Sequence, residues 1–186
     1  IQVVIVPVAA HKPGVTEKAA ELAKAIGAYA RAKLDDSDKA PGWKFSQWEM
    51  KGVPLRLEVG PRDIEQGQCV LVRRDNREKT VVKFEDLAST IPALLEDIQK
   101  ALFEKALRNR EEHTYTAKSL DEMKEILKEH VGFVKSMWCG DRACEEKIKE
   151  ETGMPSRCMP FEQEHISDVC PVCGKPAHKM VVWGTA

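Results

Sequence analysis

Five of the six cysteines crowd the last third of the 186-residue chain, at Cys139, Cys144, Cys158, Cys170 and Cys173, while Cys69 stands alone upstream. Cys139 and Cys144 are separated by four residues, and 25 residues intervene before Cys170-Pro-Val-Cys173-Gly174. Four thiolates in two tight pairs can surround a tetrahedral zinc ion at about 2.3 Å each, and four sulfurs leave no open position for water. Such a zinc would be structural, with Cys139, Cys144, Cys170 and Cys173 as its ligands. The competing readings are buried free thiols or a redox Cys-x-x-Cys, which usually sits between a strand and a helix. Pro171, Gly174 and Pro176 fit a knuckle better than a redox helix. Cys158, in RCMPF, is then spare: a small buried hydrophobe or an alternative ligand.

A second group lies between Lys39 and Lys83, where ten basic residues face six acidic ones although the whole chain carries a formal charge of −1. Runs of this kind are commonly solvated faces. Here, though, Trp43, Phe45 and Trp48 stand beside Glu49, Arg56, Arg62, Arg73, Arg74, Arg77 and Lys79. Aromatic rings can stack on unpaired bases, arginines can reach phosphates or a guanine O6 and N7, and a carboxylate can accept from guanine N1 and N2. Trp43 and Trp48 read more readily as core residues of their own short helix than as stacking platforms. No phosphate-binding lysine loop, Gly-x-Gly-x-x-Gly, Gly-x-Ser-x-Gly or His-Glu-x-x-His occurs, so no familiar nucleotide-binding or hydrolytic engine is present. The five histidines are scattered, and Cys69 reads as core.

These residues need elements to hold them. Ile1 to Ala10 reads as a buried strand, and Thr16 to Leu34 as a helix with Ala19, Leu22, Ala23, Ile26, Ala30 and Leu34 on one stripe. GWKFSQWEMKGVP is a short helix stopped by Gly52 and Pro54. PLRLEVG and QCVLVRR alternate as half-buried strands, the second turning through Asp75 and Asn76 into KTVVKF as a hairpin. Phe84 to His113 is a long helix with Pro92 near its first turns. Further on, SLDEMKEILKEH opens with capping-box spacing at Ser119 and Glu122. GFVKSMW is a strand delivering Trp138 to Cys139, a helix follows Cys144, and KMVVW is the last strand. The apolar stripe ends near Glu112 to Ala117, which predicts two domains, residues 1–113 and 114–186.

Composition narrows the class. Hydrophobic residues make up 42% and charged residues 32%, excluding a disordered chain or a polycation. The longest apolar run, Val3 to Ala10, falls far short of the roughly 20 residues that cross a bilayer, so no membrane partner is expected. The opening IQVVIVPVAA lacks a Met, a basic leader and a cleavage site, and reads as strand from a longer protein. A reducing, cytoplasmic setting is the expectation.

PGWKFSQWEMKGVPLRLEVGPRDIEQGQCVLVRRDN resembles the anticodon-binding domain of prolyl-tRNA synthetases, and WCGDRACEEKIKEETG, RCMPF and CPVCGKPA resemble the appended zinc domain of their archaeal and eukaryotic-like form. The resemblance implies an α/β fold: a class II anticodon-binding domain, a mixed sheet flanked by helices, followed by a small α/β zinc-binding domain. It implies that Glu49, Arg56 and Arg62 contact the two adjacent guanines of the proline anticodon, with Lys79 a looser match. The implied partners are the tRNA(Pro) anticodon stem-loop and the catalytic domain of the parent enzyme, whose class II motifs for ATP and proline do not occur in this sequence. This stretch by itself is expected to be inactive in aminoacylation and monomeric, the full-length enzyme a homodimer that uses ATP. The family usually ends in a Tyr, where this sequence reads Gly184, Thr185 and Ala186. The alternative is a zinc-stabilised protein-interaction module without RNA specificity, and thiol redox through Cys170 and Cys173 is a third reading.

Overall fold

The uninterrupted apolar run near the start forms β1 (Val3–Pro7), buried at every residue, because helices and side chains cover both faces of the sheet at this strand. The computed structural model describes residues 1–185; Ala186, where a terminal Tyr was looked for, lies outside the described residues. The chain divides into two compact units, Ile1–Glu104 and Lys105–Ala186.

In the first unit, α1 (Val15–Ile26) follows β1, and β2 (Ala32–Leu34) returns to pair with it in parallel. This corrects the sequence reading, which carried one helix to Leu34. The helix ends at Gly27. Ala30 and Leu34 kept the helical spacing but reach the same core from the turn and strand beyond it. An edge strand three residues long is decided by the open hydrogen-bonding groups of β1 rather than by its own pattern. Then come α2 (Pro41–Met50), β3 (Leu55–Val59), the short α3 (Pro61–Glu65), β4 (Gln68–Arg73) and β5 (Lys79–Lys83). Strand order is β2-β1-β3-β4-β5, parallel from β2 to β3 and antiparallel from β3 to β5. A 3-10 turn, Phe84–Asp86, leads into α4 (Leu87–Glu112), which contains Pro92.

Period-two alternation in β3 gives the sheet two different faces. Leu55, Leu57 and Val59 join Val3, Ile5 and Leu71 beneath Ala19, Leu22 and Ile26 of α1 and Leu87, Ile91 and Ile98 of α4, forming the main core. On the other face Val4 and Val6 pack against Trp48, Val53 and Phe45. That smaller cluster covers the β1 side only. Beyond it the register carries Arg56 and Glu58 beside Val72 and Val70, and these beside Lys79 and Val81, with Lys79 and Val81 exposed. One face of the sheet is therefore closed by two helices and the other is left open towards β5.

The second unit is a separate sheet, ordered β6-β7-β9-β8, from β6 (Thr114–Thr116), β7 (Phe133–Trp138), β8 (Ser156–Cys158) and β9 (Lys179–Gly184). Its helices are α5 (Leu120–Glu129) and α6 (Arg142–Thr152). Ser119 caps α5 as its spacing predicts, accepting from the Glu122 amide, while the Glu122 carboxylate accepts from the Lys118 amide. Met123, Val134, Ile148, Met154, Val181 and Trp183 make the core, and the buried indole of Trp183 donates to the Ser136 hydroxyl. A second apolar cluster of Met137, Ala177 and Met180 includes Cys144 and Cys170. No helix among the described residues is long and apolar enough to cross a membrane.

Candidate nucleic-acid interface and metal centre

The four cysteines come from three pieces of structure. Cys139 follows β7, Cys144 sits in the first turn of α6, and Cys170 and Cys173 flank a tight turn that Gly174 completes with φ 70°. Asp141 caps α6 by accepting from the Ala143 amide, and the Trp138 indole donates to the Asp141 carbonyl, so the turn between the first two cysteines is tied at both ends. The second turn is closed by the Cys170 amide on Lys175 and the Gly174 amide on Cys170. The four sulfurs all lie within 4.8 Å of one another, and those of Cys139 and Cys173 are 3.7 Å apart. Ligands about 2.3 Å from a tetrahedral ion are separated by about 3.8 Å, so the donor set has the span a metal ion requires.

Electrostatics point the same way. Burial holds the Cys144 thiol far above the ordinary thiol range and raises Cys139 as well. Cys170 is also pushed up by burial, but backbone amides of Cys173, Val172 and Cys139 donate to its sulfur and bring it down to about 7. A cluster in which some thiols resist ionisation while one is prepared for it by peptide dipoles is suited to a cation that supplies the missing positive charge. Cys158, expected as a buried hydrophobe, is exposed on β8 and stands outside the four-sulfur cluster. β8 is a three-residue edge strand with all its side chains in solvent, which its apolar neighbours in sequence did not reveal.

In the first unit, Asp35 organises α2. Its carboxylate accepts from the Trp48 indole at 2.7 Å and from Ser37, and its backbone carbonyl accepts from the buried Lys44 ammonium at 2.9 Å. Burial would raise the Asp35 carboxyl, yet the Ser37 and Trp48 hydrogen bonds leave it below its ordinary value. Trp48 is core, packed on Val4, Val6 and Val53. Trp43 on the same helix, which the sequence places in the core, is instead 52% exposed.

With α2 fixed, Phe45 and Glu49 face β3. The Arg56 guanidinium lies 3.9 Å from the centre of the Phe45 ring. Its Nε donates to Glu58 at 2.9 Å and its Nη1 to Glu49 at 2.9 Å. Arg62, exposed, stands at the start of α3, whose entry is fastened by the Gly60 amide on the Asp63 carboxylate. Lys79 is exposed at the start of β5. The structure thus joins Glu49 directly to Arg56 and leaves Arg62 and Lys79 separate from that pair. A cleft of about 530 Å³ opens among Gln2, Arg31, Arg74 and Gln99, and none of Glu49, Arg56, Arg62 and Lys79 lines it. Glu49 and Arg56 line only a shallow recess of about 10 Å³, shared with Trp48, Val72, Arg73 and Arg74, so the open sheet face offers hydrogen-bonding groups beside an aromatic ring rather than a deep cavity. Glu58 as a second partner of Arg56 is a contact the sequence signalled only through its two-residue spacing.

Residues 2–94, half the chain, match the family described as "Anticodon binding domain". The chain belongs to the anticodon-binding domain family. Residues 120–186 match a second family, "Prolyl-tRNA synthetase, C-terminal". Over all 186 residues the chain is 61% identical to a protein of Clostridium novyi (strain NT) named "Proline--tRNA ligase". It is 58% identical to "Proline--tRNA ligase 2" of Bacillus thuringiensis subsp. konkukian, and 55% identical over 185 residues to the "Proline--tRNA ligase" of Clostridium botulinum (strain Loch Maree / Type A3). In each case the chain spans 39% of the relative's length. The anticodon-binding family accounts for the mixed sheet carrying Arg56, and the prolyl-tRNA synthetase C-terminal family for the unit carrying the four cysteines.

Proposed function

We propose that this chain is the anticodon-reading part of a proline-tRNA ligase, and that it recognises the two adjacent guanines of the tRNA(Pro) anticodon. The observation carrying this reading is the Glu49–Arg56 pair beside Phe45 on an open sheet face, within a chain whose first half belongs to an anticodon-binding family. Glu49 would accept from guanine N1 and N2, Arg56 and Arg62 would donate to O6 and N7, and Lys79 would add phosphate attraction. Residues 1–113 would do the reading, and 114–186 would form the zinc-held domain. Zinc on Cys139, Cys144, Cys170 and Cys173 would be structural, fastening β7, α6 and the Cys170 turn and taking no part in catalysis. ATP-dependent attachment of proline would belong to a catalytic domain elsewhere in the enzyme, which would be this chain's protein partner. The chain alone would be a monomer without aminoacylation activity, the whole enzyme a cytoplasmic homodimer.

Filter binding of anticodon hairpins at two salt concentrations tests the reading. The expected result is a preference for guanines and a salt-dependent affinity. Arg56→Ala should weaken binding to the guanine hairpin by about 1–3 kcal/mol and leave a hairpin with a changed anticodon nearly unaffected. Equal losses on both hairpins would sink the assignment of Arg56. Absence of both preference and salt dependence would favour a protein-interaction module instead.

A further inference from the structure

Arg56 is one cation held by two carboxylates, and the two are not equivalent. Glu58 is two residues along the same strand, so its side chain rises from the same face. It is 13% exposed, like Arg56 at 11%, and it takes the inner Nε edge of the guanidinium. Glu49 comes from α2, is 42% exposed, and takes the outer Nη1. Phe45 covers the guanidinium at 3.9 Å and limits how it can swing. A guanine approaching from solvent can compete for the outer carboxylate and for the outer nitrogens, whereas the Nε to Glu58 bond lies behind them.

Glu49 cannot offer both oxygens to a base while it serves as the sole counter-charge of Arg56. We infer that Glu58 is a positioning residue for base reading: it holds Arg56 through Nε and supplies its counter-charge, so that Glu49 is released to the guanine edge. The inference rests on the anticodon reading given above. Without Glu58, Arg56 would turn fully onto Glu49 and the pair would close on itself.

Two RNA hairpins, identical except that one carries two guanines and the other two adenines at the read positions, provide the test with the whole 186-residue chain. Glu58→Ala should lower the preference for the guanine hairpin roughly tenfold, within the range of one bidentate base contact, and leave affinity for the adenine hairpin unchanged. Glu58→Gln, which keeps an oxygen for Nε, should recover part of the preference and also serves if the alanine variant folds poorly. Adding Glu58→Ala to Arg56→Ala should cost nothing further, because the two act as one unit. Full preference in both Glu58 variants, with preference lost in Arg56→Ala, would overturn the inference and spare the anticodon reading. Equal weakening on both hairpins would reduce Glu58 to a structural contact and likewise overturn it. Full preference in Arg56→Ala would bring down the reading of Arg56 and this inference together.

Discussion

The first unit closes one face of a five-stranded sheet with α1 and α4, a broad core running from Val3 to Ile98. The second unit has a four-stranded sheet, a smaller core around Trp183, and a separate cluster in which two of the buried side chains are cysteines. A sheet with helices over its main face can leave part of the other face to charged groups, and this is where Arg56, Glu58 and Lys79 stand. A shorter chain with less apolar area has to add a cross-link, and small units do so with metal or disulfides. On the proposed function, reading and stapling would be divided between the units according to how much core each can build.

That comparison predicts unequal responses to metal removal. If the cysteine cluster staples only the second unit, stripping the ion with a chelator, or Cys170→Ser, should unfold that unit. Structural zinc supplies about 10–16 kcal/mol in small domains, so this is the largest effect expected. Hydrogen exchange should rise across residues 105–185 and stay unchanged in β1, β3 and β4. Exchange unchanged in both units would break the comparison, since the smaller core would then suffice alone.

The converse change sharpens it. Leu57 is fully buried in the first core, and Leu57→Ala should cost about 2–5 kcal/mol. Thermal unfolding of the first unit should move down while metal content of the second stays the same. Loss of metal in this variant would show that the two cores are energetically coupled.

The smallest effect concerns charge. Arg73 donates to both oxygens of Asp75, at 3.0 and 2.8 Å, on side chains about as buried as Arg56. The hydrogen bonds from Arg73 hold the Asp75 carboxyl below its ordinary value. A depressed carboxyl stabilises the fold above its unfolded pKa, and that contribution is lost as pH falls through the folded one. Asp75→Asn should therefore melt earlier than the parent at neutral pH and converge with it only as pH falls below the usual Asp value of about 3.9. Melting temperature against pH in the first unit measures this, and parallel curves would remove the pair from the stability of the hairpin.

Much of this was legible in residue order. The alternation of Leu55, Leu57 and Val59 made β3 and its two faces visible, Asp75 and Asn76 marked the hairpin, and Ser119 with Glu122 marked the start of α5. The paired cysteine spacings pointed to one cluster, because two turns each bring a pair of sulfurs together. What stayed hidden were the short edges. In sequence β2 reads as the end of α1, since Ala30 and Leu34 continue a helical period. β6 lies where a domain boundary was expected, and β8 leaves Cys158 exposed. Strands of three residues take their conformation from the neighbour that offers hydrogen bonds, and that neighbour is remote in sequence.

The sequence by itself determined the order of the longer elements, the residues capable of base contact and the four sulfurs capable of holding a cation, because these follow from residue type and local period. Only the tertiary structure decided which of them meet. It placed Trp48 on Asp35 and left Trp43 outside, gave Arg56 to both Glu49 and Glu58, and aimed three peptide amides at Cys170. The Val172 and Cys173 amides share a turn with Cys170, and Glu58 shares a strand with Arg56. The Trp48–Asp35 contact, the Glu49–Arg56 pair and the Cys139 amide on Cys170 depend instead on strand pairing and helix docking, which are set by contacts between residues far apart in the chain.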